Sequence, residues 1–265
     1  MSHTGNANGN FGIEGLKNSR FLTPFVAAQN LRNVLHCWYN ADFLQIDSNG
    51  LVSGATDLTG QANNGTQPTA GSRMTFFPRD LLFGGLPSFG NLLGGGIRHM
   101  LITNNISLQL GSYIIVSTYY SNGLASTFST TSGLLAGGLS AGVSRVAGGG
   151  GSATWSSLLT AGSTFSKNGG EYFTLAASAP VLPLPASTLT MRNGTADISR
   201  RWLFGTQEGS NRNWIGGYRN IILTNSSIGA AEVALIEGVI AWDGGHQKEL
   251  VSTHPYRYCP PRIRD

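Results

Sequence analysis

The chain has 265 residues, of which 40% are hydrophobic and only 11% charged, with a net charge of +4. That size can bury one large core, no stretch has the apolar length of a membrane-spanning helix, and the scattered cations form no run of the kind that tracks phosphates. Neither a membrane nor a nucleic acid is therefore an expected partner. Lys17, Lys167 and Lys248 are the only lysines, and all other basic residues are arginines, a bias that suits packed interfaces, from which lysine is depleted.

Met1 to Asn10 is rich in Asn and Gly and holds too little apolar surface to order itself without a partner. It has neither the basic start nor the apolar core of a signal peptide, so export by the general secretory route is not expected. Phe11, Ile13, Leu16, Phe21, Leu22, Phe25 and Val26 follow as an apolar segment without clean period, interrupted by Pro24. Two readings stand for this N-terminal extended arm, residues 1–34: an anchor laid over a neighbouring subunit, or a strap on its own domain.

From residue 35 onward the chain reads as β. Tyr113 to Tyr120 is rich in β-branched and aromatic residues, and shorter candidates are residues 153–159, 171–176, 188–192, 200–204 and 214–223. Turn signals fall at Asn122-Gly123, Lys167-Asn168-Gly169-Gly170 and Asn193-Gly194. The Gly/Ala/Ser-rich stretch from Gly133 to Gly151 reads as a long exposed loop. The glycine runs at 94–96 and 148–151 lack a following Lys-Ser/Thr and fail as phosphate loops. Near the end, Val233, Ile236, Val239 and Ile240 recur at helical spacing. Gly229 occupies the N-cap position, Glu232 can reach back in a half-formed capping box, and Gly244 and Gly245 stop the helix. Many short strands separated by turns, with one helix, predict an all-β sandwich or barrel.

Several of these segments resemble one family. Leu35-His-Cys-Trp-Tyr-Asn-Ala-Asp42, Asp57-Leu-Thr-Gly-Gln-Ala-Asn-Asn-Gly-Thr-Gln67, Gly85-Leu-Pro-Ser-Phe89, the helix Leu235-Ile-Glu-Gly-Val-Ile-Ala-Trp242 and the tail His254-Pro255-Tyr256 are similar to motifs of concanavalin A-like, laminin-G-type jelly-roll domains found in tailed-bacteriophage structural proteins. The resemblance implies a jelly-roll sandwich over residues 35–265 with one C-terminal helix. It also implies a non-enzymatic virion structural protein, a capsid decoration or head or tail fibre component, made in the host cytoplasm and carried on the particle. Phage capsid or tail proteins and further copies of the chain, as a homo-oligomer, are the partners implied. The alternative is a lectin-like adhesion module for surface glycans.

The residues carry no catalytic pattern: the Glu-x-Asp-x-x-Glu of jelly-roll glucanases is absent, and no Gly-x-Ser-x-Gly elbow serves His36, His99, His246 or His254. Asp42 and Asp57 are expected to cap backbone donors. Asp47-Ser-Asn-Gly50 offers too few oxygens for calcium, the two cysteines form no zinc pattern, and no cofactor is expected. Cys37 and Cys259 are either a disulfide or a pair of buried thiols. For a glycan, Trp155, Trp214, Tyr119 and Tyr120 are the candidate stacking faces, with core packing as the competing role.

Overall fold

The structure, a computed structural model, describes residues 21–91, 98–120, 131–137, 142–147, 154–156, 162–174, 184–194, 198–200, 202–205, 214–225 and 228–262. Among these residues two antiparallel sheets pack face to face. The first runs in the spatial order Phe173–Thr174, Thr164–Lys167, Leu184–Arg192, Tyr113–Tyr120, Gly216–Thr224, Leu86–Asn91 and Thr75–Asp80. Leu86–Asn91 takes only the first part of Gly216–Thr224, and Leu35–Asn40 pairs with the rest of the same edge. The second sheet runs Thr154–Ser156, Gly142–Ala147, Thr131–Gly137, Trp202–Phe204, Met100–Ile102, Gly65–Thr66, Val52–Ala55 and Leu44–Ile46. Ile106–Leu108 and Ile198–Arg200 form a separate two-stranded ribbon.

Side chains alternate along a strand, and the first sheet is covered on both faces. Ile114, Val116, Tyr39, Ile221 and Leu223 point into the inter-sheet core with Met100, Ile102, Trp202 and Phe204. Tyr113, Ile115, Ile222 and Trp38 belong to a second cluster on the opposite face. With both faces covered, Tyr113–Tyr120 and Gly216–Thr224 are buried at every position, and the former reads as the mainly apolar run expected of such a strand. The outer cover is two helices, α1 (Pro24–Asn30) and α2 (Ala230–Asp243). Pro24 opens α1, and Thr23 Oγ1 accepts from Val26 N. Val233, Ile236, Val239 and Ile240 of α2 bury the predicted face. Gly229 makes no side-chain cap bond, and Gly244, whose N–H donates to Ile240 O, closes the helix.

The strap reading describes residues 21–34. Phe21 bridges to Arg262, Leu22 N donates to Pro261 O at 2.8 Å, and Leu22, Ala27 and Ala28 pack in one cluster with Leu35 and Trp38. Phe25 stacks on Phe43 with ring centroids 6.2 Å apart, Val26 is half-buried, and both Phe21 and Phe25 keep an exposed side. Phe11, Ile13 and Leu16 lie outside the described residues. Three other expectations are corrected. The long loop expected at 133–151 contains the paired strands Thr131–Gly137 and Gly142–Ala147; small residues there still form a ladder because the backbone supplies its bonds. The single strand expected at 200–204 is split, with Ile198–Arg200 and Trp202–Phe204 in different sheets. Cys37 is buried and Cys259 exposed, both as free thiols, so neither a disulfide nor a buried pair exists. The glycine runs at 94–96 and 148–151 and the Asn122-Gly123 turn lie outside the described residues.

The motif residues of the first strand meet the last strand and α2 in one buried polar cluster. Arg219, 2% exposed, donates from Nη1 to Pro87 O at 2.8 Å and from Nη2 to Asp42 Oδ2 at 2.8 Å and Asp243 Oδ1 at 3.0 Å. Its Nε reaches the Asp243 main-chain carbonyl and Oδ2, both at 2.9 Å. Asn220 and Asn40 donate to the same Asp243 Oδ2 at 2.8 and 2.9 Å, while Asn220 Oδ1 accepts from Asn40 Nδ2 and Trp38 Nε1. Burial holds the Asp243 carboxyl above the usual carboxylate range even with Arg219 beside it. Asp42 is thus an ion-pair partner and not the expected cap; Asn40 Oδ1 does the capping, accepting from Asp42 N at 2.8 Å. Asp57 caps as expected, accepting from Trp38 N at 3.1 Å and Thr59 N at 3.0 Å.

Removing one partner of a buried ion pair strands the other charge. Arg219→Ala is therefore expected to lower unfolding stability by about 3–5 kcal/mol, measured by urea denaturation, with part of the loss recovered when Asp243→Asn is added.

Candidate functional site

Three of the four aromatic residues proposed from sequence as stacking faces are in the core. Trp214 is fully buried with its Nε1 bonded to Thr118 Oγ1 and Tyr119 O, both at 3.0 Å. Tyr120 packs edge-on to Trp214 at 4.8 Å. Tyr119 donates its hydroxyl to Asp80 at 2.9 Å, and burial with that neighbouring carboxylate holds its phenol far above the ordinary range. Alternation on a strand covered on both faces leaves none of the three a free ring. Trp155 lies on a strand, opposite Val146, and its side chain is outside what the structure describes.

A different group of residues comes together where α2 crosses the first sheet. Glu237 is one turn after Val233 on the buried side of α2 and only 3% exposed. Thr190, near the end of Leu184–Arg192, donates to Glu237 Oε1. His254, 6% exposed, places Nε2 at 3.4 Å from Glu237 Oε2, and its Nδ1 accepts from Tyr256 N at 3.2 Å. One residue along the helix, Gly238 leaves room for Tyr256, whose ring atoms would lie 2.6–2.7 Å from any added Cβ. Trp242 Nε1 then donates to Tyr256 O at 2.7 Å. The Glu237-Gly238 pair of the helix and the His254-Pro255-Tyr256 tail are therefore direct contacts of one another.

Beside this pair lies a cleft of about 230 Å³, lined by Tyr113, Tyr172, Ser166 and Thr253 together with Glu237 and His254. The turn Asn168-Gly169, both residues at positive φ (57° and 71°), forms one rim. It is pinned by Asn168 Oδ1 accepting from Thr188 N and Asn168 O accepting from Val251 N, at 2.8 and 3.0 Å. Tyr172 is 44% exposed, and burial of its hydroxyl together with the Glu237 carboxylate keeps its phenol protonated far above the ordinary range. The cleft thus combines an aromatic wall, hydroxyl groups and a buried acid–imidazole pair. The sequence signal for it was present: Glu237 is a single carboxylate on an otherwise apolar helix face, and a buried charge needs a partner.

The remaining candidates are spoken for. Asp47 accepts from Asn49 N and Leu51 N at 2.8 and 3.0 Å and pairs with Arg73 at 2.7 Å. The backbone donors and then Arg73 hold its carboxyl below the usual range, and the arginine sits where a cation would. Among the described residues no group of three His, Cys, Asp or Glu is placed to hold a metal. His36 contacts Ser107 O at 2.8 Å, and burial lowers the proton affinity of both His36 and His99. Thr190, whose hydroxyl donates to Glu237, is fully buried.

No family model and no curated protein matches the chain. Among solved structures it is similar to the binding domain of Paraclostridial Mosquitocidal Protein 1, at 10% identity and a TM-score of 0.43, over 79% of this chain and 53% of that one. It is also similar to a Trypanosoma rangeli sialidase, at 12% identity and a TM-score of 0.38, over 80% of this chain and 33% of that one. The chain thus spans about half and about a third of those two structures.

His246 gives a pH test of the helix end. It is buried against Phe83 and Thr188, and burial lowers its pKa from 6.5 to about 4. Between those values the unfolded chain binds the proton and the folded one does not, so stability falls as pH is lowered through that window. Between pH 7 and pH 4.5 the wild type is expected to lose roughly 2–3 kcal/mol more than His246→Gln in urea titrations.

Proposed function

We propose that the chain is a non-enzymatic, carbohydrate-binding β-sandwich, and that the cleft beside α2 holds the sugar. The observation that carries this reading is the half-exposed Tyr172 ring set in one cleft with a buried acid–imidazole pair. A sugar presents C–H faces that pack on aromatic rings and hydroxyls that need directed polar partners, and pockets of this mixed character bind small polar ligands. The reading keeps the glycan expectation from sequence and moves it from Trp214, Tyr119 and Tyr120 to Tyr172, Glu237 and His254. Tyr172→Ala is expected to weaken binding of a glycan selected from an array by about tenfold while leaving the unfolding midpoint unchanged. Calorimetric titration measures it, and undiminished affinity in the variant overturns the site.

A second reading is supported at the N-terminal side. The stacked Phe25–Phe43 pair keeps apolar surface exposed next to the point where residues 1–20 join the domain. This favours the virion structural role that the family resemblance implies, with residues 1–20 holding the sandwich on a phage particle or joining copies. Because residues 21–34 pack on the sandwich, the informative truncation begins at Phe21. Light scattering is expected to give a discrete oligomer for the full chain and a monomer for the truncated one; the same mass per chain count in both removes the arm from assembly.

A further inference from the structure

We infer that the cleft selects a neutral sugar bearing a methyl group, from a deoxyhexose or an N-acetylhexosamine, and seats that methyl between Tyr172 and the alanines of α2; the inference rests on the carbohydrate reading of the site. The acid–imidazole pair offers a ligand no free polar atom. Glu237 and His254 are both buried, and His254 Nε2 is wholly covered. Gly169 lies over them: a Cβ there would stand 2.4 Å from His254 Cδ2 and 3.2 Å from Glu237 Oε2. Ser166 is buried too, and its hydroxyl donates to Gly170 O at 2.8 Å. The pair therefore acts on a ligand through its charge and not by direct bonds.

The lining that stays open to solvent is mainly carbon. Ala230, Pro255 and Tyr172 are exposed and Ala234 is half-buried, with Thr253 adding a hydroxyl. Ala230 and Ala234 stand four residues apart on α2, so their methyls share one side of the helix. At about 230 Å³ the cleft is smaller than the roughly 300–1,000 Å³ that encloses a drug-sized ligand, which suits one sugar residue and not a chain. A hydroxyl set against such walls gives up its water without a partner in return, whereas a methyl gains by leaving water. Acidic sugars are disfavoured. Burial and then the Glu237 carboxylate raise the Tyr172 phenol, so the field of that carboxylate reaches the aromatic wall. Among the described residues no lysine or arginine lines the cleft to offset it.

The test is a calorimetric panel of free sugars in matched pairs on the full chain: L-fucose against L-galactose, L-rhamnose against L-mannose, and N-acetylglucosamine against glucose. At least one methyl-bearing sugar is expected to bind about tenfold or more tightly than its counterpart, and the pair that responds identifies the source of the methyl. N-acetylneuraminic acid, which carries the acetyl group together with a carboxylate, is expected to bind more weakly than the preferred sugar. Ala230→Leu fills the slot from an exposed helix position, so it is expected to weaken the preferred sugar about tenfold and to erase the preference. As a second measurement, saturation transfer from protein to sugar in NMR should be strongest at the methyl protons. Counterparts bound equally well, an acidic sugar preferred, or a preference unchanged by Ala230→Leu overturns the inference while the carbohydrate reading stands. Absence of binding by every sugar overturns both. If the variant fails to fold, the wild-type panel and the saturation transfer decide, and transfer strongest at ring protons overturns the inference.

Discussion

The buried guanidinium of Arg219 is the constraint around which the described fold is arranged. A charge on a central strand is tolerable only if it is paired and its donors are met. Arg219 meets that demand with Asp42 after the first strand, Asp243 at the end of α2 and the carbonyl of Pro87. These groups are remote in sequence, so the cluster can form only when the first strand, the last strand and the helix are all in place. Apolar packing would let the helix slide along the sheet at little cost. The fork of an arginine fixes both distance and direction.

The architecture was legible where one physical pattern dominates. The apolar run Tyr113–Tyr120, the helical spacing from Val233 to Ile240 and the terminal glycines each produced the expected element, because burial on two faces, burial on one stripe and helix termination leave unmistakable marks. The misses come from weaker signals. Thr131–Gly137 and Gly142–Ala147 pair through backbone groups that composition does not report. Asp42 read as a cap because its nearest backbone donor is local; its real partner is 177 residues away. The stacking residues failed for a related reason: an aromatic on a strand says nothing about which face is covered, and here Trp214 and Tyr120 face the opposite sheet while Tyr119 packs on Phe83. Tyr172 gave no signal, since a lone tyrosine after a turn has no period to betray it.

The cleft and the closure of the domain are built from the same contacts. Gly238 admits Tyr256, Tyr256 N orients the His254 ring, and His254 faces Glu237. The tail therefore both completes the cover of the sheet and orients the His254 ring beside the cleft. Substitutions that loosen the tail should be read with that double role in view, since a change in the shape of the cleft and a change in closure have a common origin there.

The two ends of the described chain meet: Phe21 lies opposite Arg262, and Leu22 opposite Pro261. The pairing is antiparallel, so the segments before residue 21 and after residue 262 leave from the same end of this short ribbon. Tension applied through both would open it as a zipper, one bond at a time, before any load reached the sandwich. A pull through one end alone would instead be passed along α1 into the helical layer. The molecule can thus yield where its two ends pair and still keep its sheets closed.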